Sequence, residues 1–160
     1  MCSSDLTRIF AAQAATCAPV VAAIHRDSEI IPPVKPAPLS ECVDTSLRIG
    51  NPADGAYVVQ AVRESGGWAE AATNEEIIAA MRLLARTEGI WTETAGGTTL
   101  AVAKKLIEAG RIPRDESIVV CITGNGLKTL EAVRERLEPP MTIPATLAAF
   151  EERILGNGGA

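Results

Sequence analysis

The sequence predicts an α/β fold built on a mainly parallel sheet. Short apolar runs alternate along the chain with segments whose apolar residues recur at helical spacing, and this alternation is typical of the class. The nearly continuous apolar run at residues 117–123 (SIVVCIT) is typical of a strand covered on both faces. Aromatic residues make up only 3% of the chain, so the core must consist of Ala, Val, Ile and Leu, which suits helices packed on such a sheet.

The other elements follow from local signals. Thr73 and Glu76 have the spacing of a capping box, so a helix is predicted from Thr73 to its terminator Gly89. Four prolines within residues 28–40 predict an extended connection. Further strands are predicted at residues 8–13, 45–49 and 68–72, and further helices at residues 14–26 (with Pro19 in the first turn), 57–64, 127–137 and 144–155 and between Gly96 and Gly110.

Composition excludes several classes of function. With 160 residues, 47% hydrophobic and 22% charged, the chain has the composition of one globular domain with its own core. A net charge of −5 with no basic stripe argues against a nucleic-acid partner. No apolar run approaches the length of about 18 residues that a membrane span needs. The first ten residues do not have the pattern of a signal peptide, so we expect a cytoplasmic protein.

Cysteine and histidine usage gives no sign of a metal site. The four cysteines form no C-x-x-C motif and His25 is the only histidine, so zinc and iron–sulfur sites are disfavoured and reduced thiols are expected. His25 falls on a predicted helix beside two charged residues, where a solvated side chain is expected and no catalytic triad can form.

The carboxyl end of the strand predicted at residues 117–123 is the first candidate site, because ligands of parallel sheets bind at that edge. Residues 121–129 (CITGNGLKT) fail both the Walker pattern and the dinucleotide glycine pattern. Two interpretations stay open at this point. The glycines make a tight turn, or the Thr123 hydroxyl is aimed at a ligand.

Two further segments combine polar residues with glycines. In residues 92–99 (TETAGGTT), either Thr94 or Thr98 caps the following helix while Glu93 complements its dipole, or the double glycine lets a ligand approach the helix N-terminus. Residues 48–52 (RIGNP) are either a strand and its turn, or a place where a glycine lets a flat ligand lie against the backbone.

Taken together, residues 46–52, 91–97 and 121–128 closely resemble, in order and spacing, the carboxyl-terminal part of the threonine synthase family of pyridoxal-phosphate (PLP) enzymes. The T-G-x-G-L-K string at residues 123–128 is the most specific part, and the resemblance extends over residues 7–155. It implies a partial doubly wound, mainly parallel sheet with flanking helices, from the large domain of a tryptophan-synthase-like (fold type II) enzyme. The implied reaction converts O-phospho-L-homoserine and water to L-threonine and phosphate.

The resemblance also assigns two site residues. Thr123 matches the hydroxyl that meets the pyridine nitrogen of the cofactor, and Glu93 matches a glutamate that approaches the cofactor side of the site. A neutral hydroxyl does not enforce protonation of that nitrogen, so a moderated electron sink is expected. The family's Schiff-base lysine and phosphate-binding loop have no match, because Lys35, Lys104, Lys105 and Lys128 all lie in other contexts. We therefore expect the isolated chain to be inactive, and the whole enzyme, completed by the missing amino-terminal half, to be a homodimer acting on a small molecule.

The two ends of the chain carry separate expectations. Residues 2–6 (CSSDL) are what TGC-TCT-TCC-GAT-CT encodes, the end of a common sequencing adapter, so residues 1–6 are expected to be an artefact. Residues 156–160 are expected to be a disordered tail. Two alternatives to the leading interpretation remain: a threonine or serine dehydratase with the same cofactor, and a non-catalytic binding module. The module is disfavoured because isolation would expose the apolar run at residues 117–123.

Overall fold

The computed structural model describes residues 7–135 and 139–156, so the expectations for residues 1–6 and for the tail beyond residue 156 lie outside the described residues. The described residues form an α/β fold with a parallel sheet, which confirms the predicted class. The strands are β1 (Ala11–Ala14) and β2 (Ala69–Ala72), and the helices are α1 (Pro19–His25), α2 (Gly55–Glu64), α3 (Asn74–Glu88), α4 (Thr94–Glu108), α5 (Glu131–Arg134) and α6 (Leu147–Phe150).

The two strands pair in parallel and separate two layers of helices. Ala11 lies opposite Ala69 and Ala14 opposite Ala72. Because side chains alternate along a strand, Ala14 and Ala72 face a cluster formed with α3 and α4, whereas Ala11 and Ala69 face a cluster formed with α1 and α2. Helices thus cover both faces, and the predicted doubly wound arrangement is confirmed for this part of a sheet. Because the alanine side chains are short, the helices on either face of the sheet pack close to the strand backbone.

Helix α3 begins as its capping box predicts. The Thr73 hydroxyl accepts a hydrogen bond from the Glu76 backbone N–H at 3.3 Å, and the Glu76 carboxylate accepts one from the Thr73 N–H at 2.8 Å. Gly89 ends the helix in the left-handed conformation, with φ at 68°. Helix α4 packs closely against α3. A Cβ on Gly97 of α4 would stand 2.6 Å from Met81 Cγ of α3.

Helix α1 begins later than predicted, at Pro19 and not at residue 14. Pro19 occupies the first helical turn, where its missing N–H costs nothing. The Gln13 side chain, from the end of β1, accepts hydrogen bonds from the backbone N–H groups of Val20 and Val21. A glutamine of the strand therefore caps the helix that follows it, and residues 15–18 serve as the connection.

His25 is exposed, as the sequence predicts, and its ring also contacts the sheet. Its Nε2 lies 2.9 Å from the Ala69 carbonyl oxygen, and its ring stacks on Trp68 with centroids 5.1 Å apart. The Arg111 guanidinium also lies over the Trp68 ring, at 3.8 Å. These contacts join residues that are far apart in the sequence, so no local signal predicts them.

Two predicted strands are absent from the described residues. Within residues 45–49 only Ser46 and Leu47 form a turn, in which both hydrogen-bond the Asp44 carboxylate. Residues 117–123 have no regular secondary structure, no strand among the described residues pairs with them, and Val119 is 89% exposed. Strand structure needs a partner for its backbone groups, so an apolar run alone does not suffice.

This segment borders an apolar groove of about 1010 Å³. The groove is also lined by Phe10 and Ala12, before and within β1, and by Val102 and Leu106 of α4.

The carboxyl-terminal helices are shorter than predicted. Residues 127–137 were expected to be one helix, but the structure has a 3₁₀ turn at Gly126–Thr129 followed by α5, and residues 136–138 are outside the described part. The helix predicted at residues 144–155 corresponds to α6 continued by a π-helical segment, Glu151–Leu155. Of the helices in the described residues, none has the length and apolar character that a membrane crossing requires.

Candidate functional site

The structure brings together two of the segments singled out in the sequence. Residues 91–93 lie antiparallel to residues 124–126, with an isolated bridge between Thr92 and Asn125. The Glu93 N–H donates to the Gly124 carbonyl at 3.0 Å, and the Gly126 N–H donates to the Trp91 carbonyl at the same distance. These bonds fix the start of α4 against the loop that carries Thr123.

Glu93 occupies the centre of this arrangement. It is the residue that precedes α4, and only 4% of its surface is exposed. One carboxylate oxygen, Oε1, accepts a hydrogen bond from the Thr123 hydroxyl at 3.2 Å, and the other, Oε2, lies 2.6 Å from the Lys128 ammonium nitrogen. Lys128, chiefly by its hydrogen bond, and Thr123 hold the pKa of the Glu93 carboxyl below its usual value, although burial acts to raise it.

The glycines of the loop allow this close approach. A Cβ on Gly124 would stand 2.3 Å from the Glu93 carboxyl carbon, and a Cβ on Gly126 would stand 2.3 Å from the Trp91 indole nitrogen. These glycines are therefore required by close contacts within the chain, with the Glu93 carboxylate and with Trp91, and not by the φ freedom of a tight turn, since neither has a positive φ. The Thr123 residue itself is exposed, so its hydroxyl is accessible from outside.

Thr94 and Thr98 have a different role from the helix cap considered for them. Neither caps α4: the residue before the helix, Glu93, makes no side-chain cap bond, and the Thr94 N–H instead donates to the Thr129 hydroxyl at 3.2 Å. Both hydroxyls instead donate to Asp44, at 3.4 Å from Thr94 and 2.8 Å from Thr98, and all three residues are 0% exposed. Asp44 also accepts from the Ser46 hydroxyl at 3.0 Å. Sequence reasoning missed Asp44, because its hydroxyl partners on α4 lie 50 and 54 residues away.

The third segment, residues 48–52, packs on the proline-rich connection. Arg48 Nε donates to the Ala37 carbonyl at 2.8 Å, and the Gly50 carbonyl accepts from the Val34 N–H at 2.9 Å. A Cβ on Gly50 would stand 1.9 Å from the Val34 carbonyl oxygen, so this glycine is required by the chain's own backbone. The hydrogen bonds to Asp44 come from the preceding residues Ser46 and Leu47 and not from this segment.

The chemistry of the site suits one part of the expected cofactor. An exposed hydroxyl backed by a buried carboxylate can hydrogen-bond a ring nitrogen, whereas the negative charge of Glu93 would repel a phosphate. Three lysines are engaged elsewhere: Lys104 pairs with Glu108, Lys105 donates to Ala71 and Glu76, and Lys128 pairs with Glu93. The residues present therefore fit the ring-nitrogen end of PLP. Within the described residues, no cluster of three or more His, Cys, Asp or Glu side chains could hold a metal ion.

Comparison with known proteins gives a consistent picture. A family model described as pyridoxal-phosphate dependent enzyme matches residues 3–124. A protein of Methanocaldococcus jannaschii named threonine synthase is 43% identical over 152 residues, which cover 94% of this chain and 36% of the relative. Proteins with the same name from Methanosarcina acetivorans and Mycobacterium leprae are 39% and 34% identical over 97% and 93% of this chain, and 38% of each relative is covered. The chain thus spans little more than a third of the length of these curated relatives.

Proposed function

This chain belongs to the family of pyridoxal-phosphate dependent enzymes, and from that premise we propose that it is the carboxyl-terminal portion of a threonine synthase. The proposal rests above all on one observation: similarity to proteins of that name extends over 93–97% of this chain at 34–43% identity. The proposed reaction converts O-phospho-L-homoserine and water to L-threonine and phosphate. We further propose that the complete enzyme is cytoplasmic and homodimeric, and that residues 1–6 do not belong to it.

Thr123 and Glu93 are the proposed contacts of this chain with the cofactor. The Thr123 hydroxyl would hydrogen-bond the pyridine nitrogen, and Glu93 would orient that hydroxyl through the hydrogen bond between the two side chains. When bound, PLP supplies an electron sink that stabilises the carbanions formed by proton loss from the substrate. Backbone hydrogen bonds hold the loop from Thr123 to Gly126 against the start of α4, and they support the position of the hydroxyl without a ligand.

The remaining parts of the active site would come from the rest of the polypeptide. The relatives are more than twice as long as this chain, and the lysine that holds the cofactor covalently has no match among residues 7–155. A phosphate anchor with backbone N–H groups or basic side chains is likewise expected from outside this chain. The chain alone is therefore proposed to lack activity.

The experiment begins with the source DNA upstream of the Thr7 codon. We expect the open reading frame to continue into a segment with a Ser-x-Lys motif. The full-length protein should release phosphate from O-phospho-L-homoserine and should not deaminate L-threonine. Deamination of threonine or serine without phosphate release would instead identify a dehydratase. A stop codon just upstream, together with a monodisperse 160-residue chain that melts cooperatively, would favour the binding module.

A pair of matched variants tests the assigned contact. Thr123→Val removes the hydroxyl and keeps the shape, so we expect the affinity of the full-length protein for PLP to fall by about tenfold, the value of one hydrogen bond. Thr87→Val removes an exposed hydroxyl that bonds only the Leu83 carbonyl at the end of α3, and it should leave the affinity unchanged. Equal affinities for both variants would remove Thr123 from the site.

A further inference from the structure

Strand β1 has backbone groups that β2 does not pair. The N–H groups of Ala11 and Ala15 donate to carbonyl groups of the β2 side, at 2.9 and 2.8 Å. Backbone groups of successive residues in a strand point alternately to its two edges, so those of Phe10 and Ala12 point away from β2. No partner for them is found in the part of the chain that the structure describes. Phe10 and Ala12 are also the residues of this region that line the apolar groove.

A second unpaired stretch of backbone, residues 118–122, borders the same groove. Among the described residues, none makes a backbone hydrogen bond with these five. Exposure nevertheless alternates along the stretch: Val120 and Ile122 are half-buried, whereas Val119 and Cys121 are exposed. This is the period of a β-strand, whose side chains point alternately to two faces. Residues 118–122 thus have the exposure pattern of a strand, and they lack the neighbour that would pair with it.

The chemistry of the groove limits what can occupy it. Its lining includes the apolar side chains of Phe10, Val102, Leu106 and Ile118, so the occupant must be apolar as well. Backbone groups that an occupant buries must also find hydrogen-bond partners. A helix satisfies its own backbone and would leave that of Ala12 unpaired, whereas a β-strand offers donors and acceptors at both of its edges. The groove therefore suits an apolar strand.

The relatives indicate where such a strand would come from. The matched region covers only 36–38% of their length, so well over half of such a polypeptide lies outside this chain. An unpaired apolar edge is also a template for aggregation, and native proteins cover it. Val119, a large apolar side chain that is 89% exposed, marks surface that a complete protein would cover.

We propose that a β-strand from the amino-terminal part of the full-length polypeptide occupies the groove and pairs with β1 on one side and with residues 118–122 on the other. This inference rests on the proposed function in one respect, that the chain is the carboxyl-terminal portion of a longer protein. The sheet then continues from β2 through β1 and the inserted strand to residues 118–122. Thr123 accordingly stands at the end of a paired strand, and the absent part of the polypeptide helps to position it.

A proline at position 12 tests whether β1 is an interior strand. Proline lacks the N–H group, so a sheet tolerates it at an edge that faces solvent and not in an interior strand. In the full-length protein, Ala12→Pro should therefore lower the urea midpoint by about 1 M or more. Arg114→Pro is the matched control. Arg114 is exposed and follows Pro113, whose carbonyl accepts from the Glu116 N–H, and this turn position suits proline. Its midpoint should equal that of the wild type.

A charge at position 119 tests whether the exposed face of residues 118–122 becomes covered. Val119→Asp in the full-length protein should lower the urea midpoint by about 1 M or more, because it would bury an unpaired carboxylate. Ile30→Asp is the matched control, since Ile30 is 78% exposed and does not line the groove. It should leave the midpoint within error of the wild type.

A photo-crosslinking residue identifies the occupant directly. p-Benzoylphenylalanine is placed at position 117, because Ser117 is exposed and lines the groove. Irradiation of the full-length protein should join it to a segment of the amino-terminal part of the same polypeptide, at a site mapped by peptide mass spectrometry. A product of doubled mass would assign the groove to a second copy and overturn the inference. A cross-link confined to residues 7–160 would overturn it as well.

The possible outcomes separate this inference from the proposed function. An Ala12→Pro midpoint equal to that of Arg114→Pro would show that β1 is an edge strand in the full-length protein and would overturn the inference. So would a Val119→Asp midpoint equal to that of Ile30→Asp. Neither result touches the proposed function, which depends on phosphate release from O-phospho-L-homoserine. A full-length protein without that activity overturns the proposed function, while the midpoints and the cross-link still decide the inference.

Discussion

Replacing Asp44 by alanine tests the buried hydrogen-bond network beside the site. Asp44 is 0% exposed and accepts two short hydrogen bonds, from Thr98 at 2.8 Å and Ser46 at 3.0 Å. It accepts two long ones at 3.4 Å, from the Thr94 hydroxyl and the Leu47 N–H. The network joins residues 44–47 to the first turns of α4, so its loss should loosen both.

The magnitude follows from these distances. Each short bond to a charged acceptor contributes about 1.5–3 kcal/mol, and the long ones contribute little. The variant also avoids the cost of burying the Asp44 charge, and this gain offsets part of the sum. We therefore expect Asp44→Ala to lower the free energy of unfolding by about 3–4 kcal/mol, within the range for breaking a buried charged network. Asp44→Asn keeps one acceptor oxygen, and the hydroxyls can reorient, so a loss of about 1–2 kcal/mol is expected.

Urea unfolding of the full-length protein, followed by tryptophan fluorescence, measures the effect. With a slope of about 2 kcal/mol per molar urea, Asp44→Ala should lower the midpoint by about 1.5–2 M. Asp115→Ala, which removes an exposed carboxylate, is the control and should leave the midpoint within error of the wild type. An Asp44→Ala midpoint that matches this control would refute the reasoning from hydrogen-bond geometry.

Two further predictions concern α3 and its contacts. Gly97→Ala should destabilise the chain by about 1–3 kcal/mol, even though alanine favours helices. The new Cβ would meet Met81 Cγ at 2.6 Å and the Ile77 carbonyl oxygen at 2.9 Å. A raised urea midpoint would contradict this prediction. Burial raises the pKa of the Glu76 carboxyl, but the Thr73 N–H and Lys105 outweigh it and lower the pKa below 4.5. The charged form therefore stabilises the fold above that pH, and the stabilisation is lost as pH falls through the lowered pKa. Glu76→Gln keeps a capping side chain but removes the charge. The difference in the free energy of unfolding between this variant and the wild type should therefore be largest near neutral pH and vanish in acid. A difference independent of pH would show that the charge contributes nothing.

Local signals in the sequence predicted the elements that depend on near neighbours. The capping box of Thr73 and Glu76 and the left-handed terminator Gly89 involve residues at most four positions from the helix they bound, and both are confirmed. The parallel class also followed, because alternating strands and helices leave few other architectures. Residues 91–97 and 121–128 were selected separately from the sequence, and the structure brings them together. Their proposed contact with a cofactor stays a prediction.

Non-local interactions account for what the sequence did not predict. The strand expected at residues 45–49 is replaced by turns around Asp44, whose other partners are on α4. The strand expected at residues 117–123 lies beside an apolar groove and has no described strand to pair with. The bond between Lys128 and Glu93 also joins segments that are far apart in the sequence, and no periodic pattern reports such a contact.

The parallel pairing of β1 with β2 has a consequence for the order of folding. A chain of 54 residues separates Ala14 from Ala69, so the backbone bonds of this sheet can form only after a long loop has closed. Helix α3 with its capping box and the Gln13 cap on α1 involve short loops and need no such closure. Pairing across long loops is slow compared with helix formation. In pulsed hydrogen exchange during refolding, the amides of α3 should therefore become protected before the amide of Ala11, which donates to the Trp68 carbonyl at the start of the sheet.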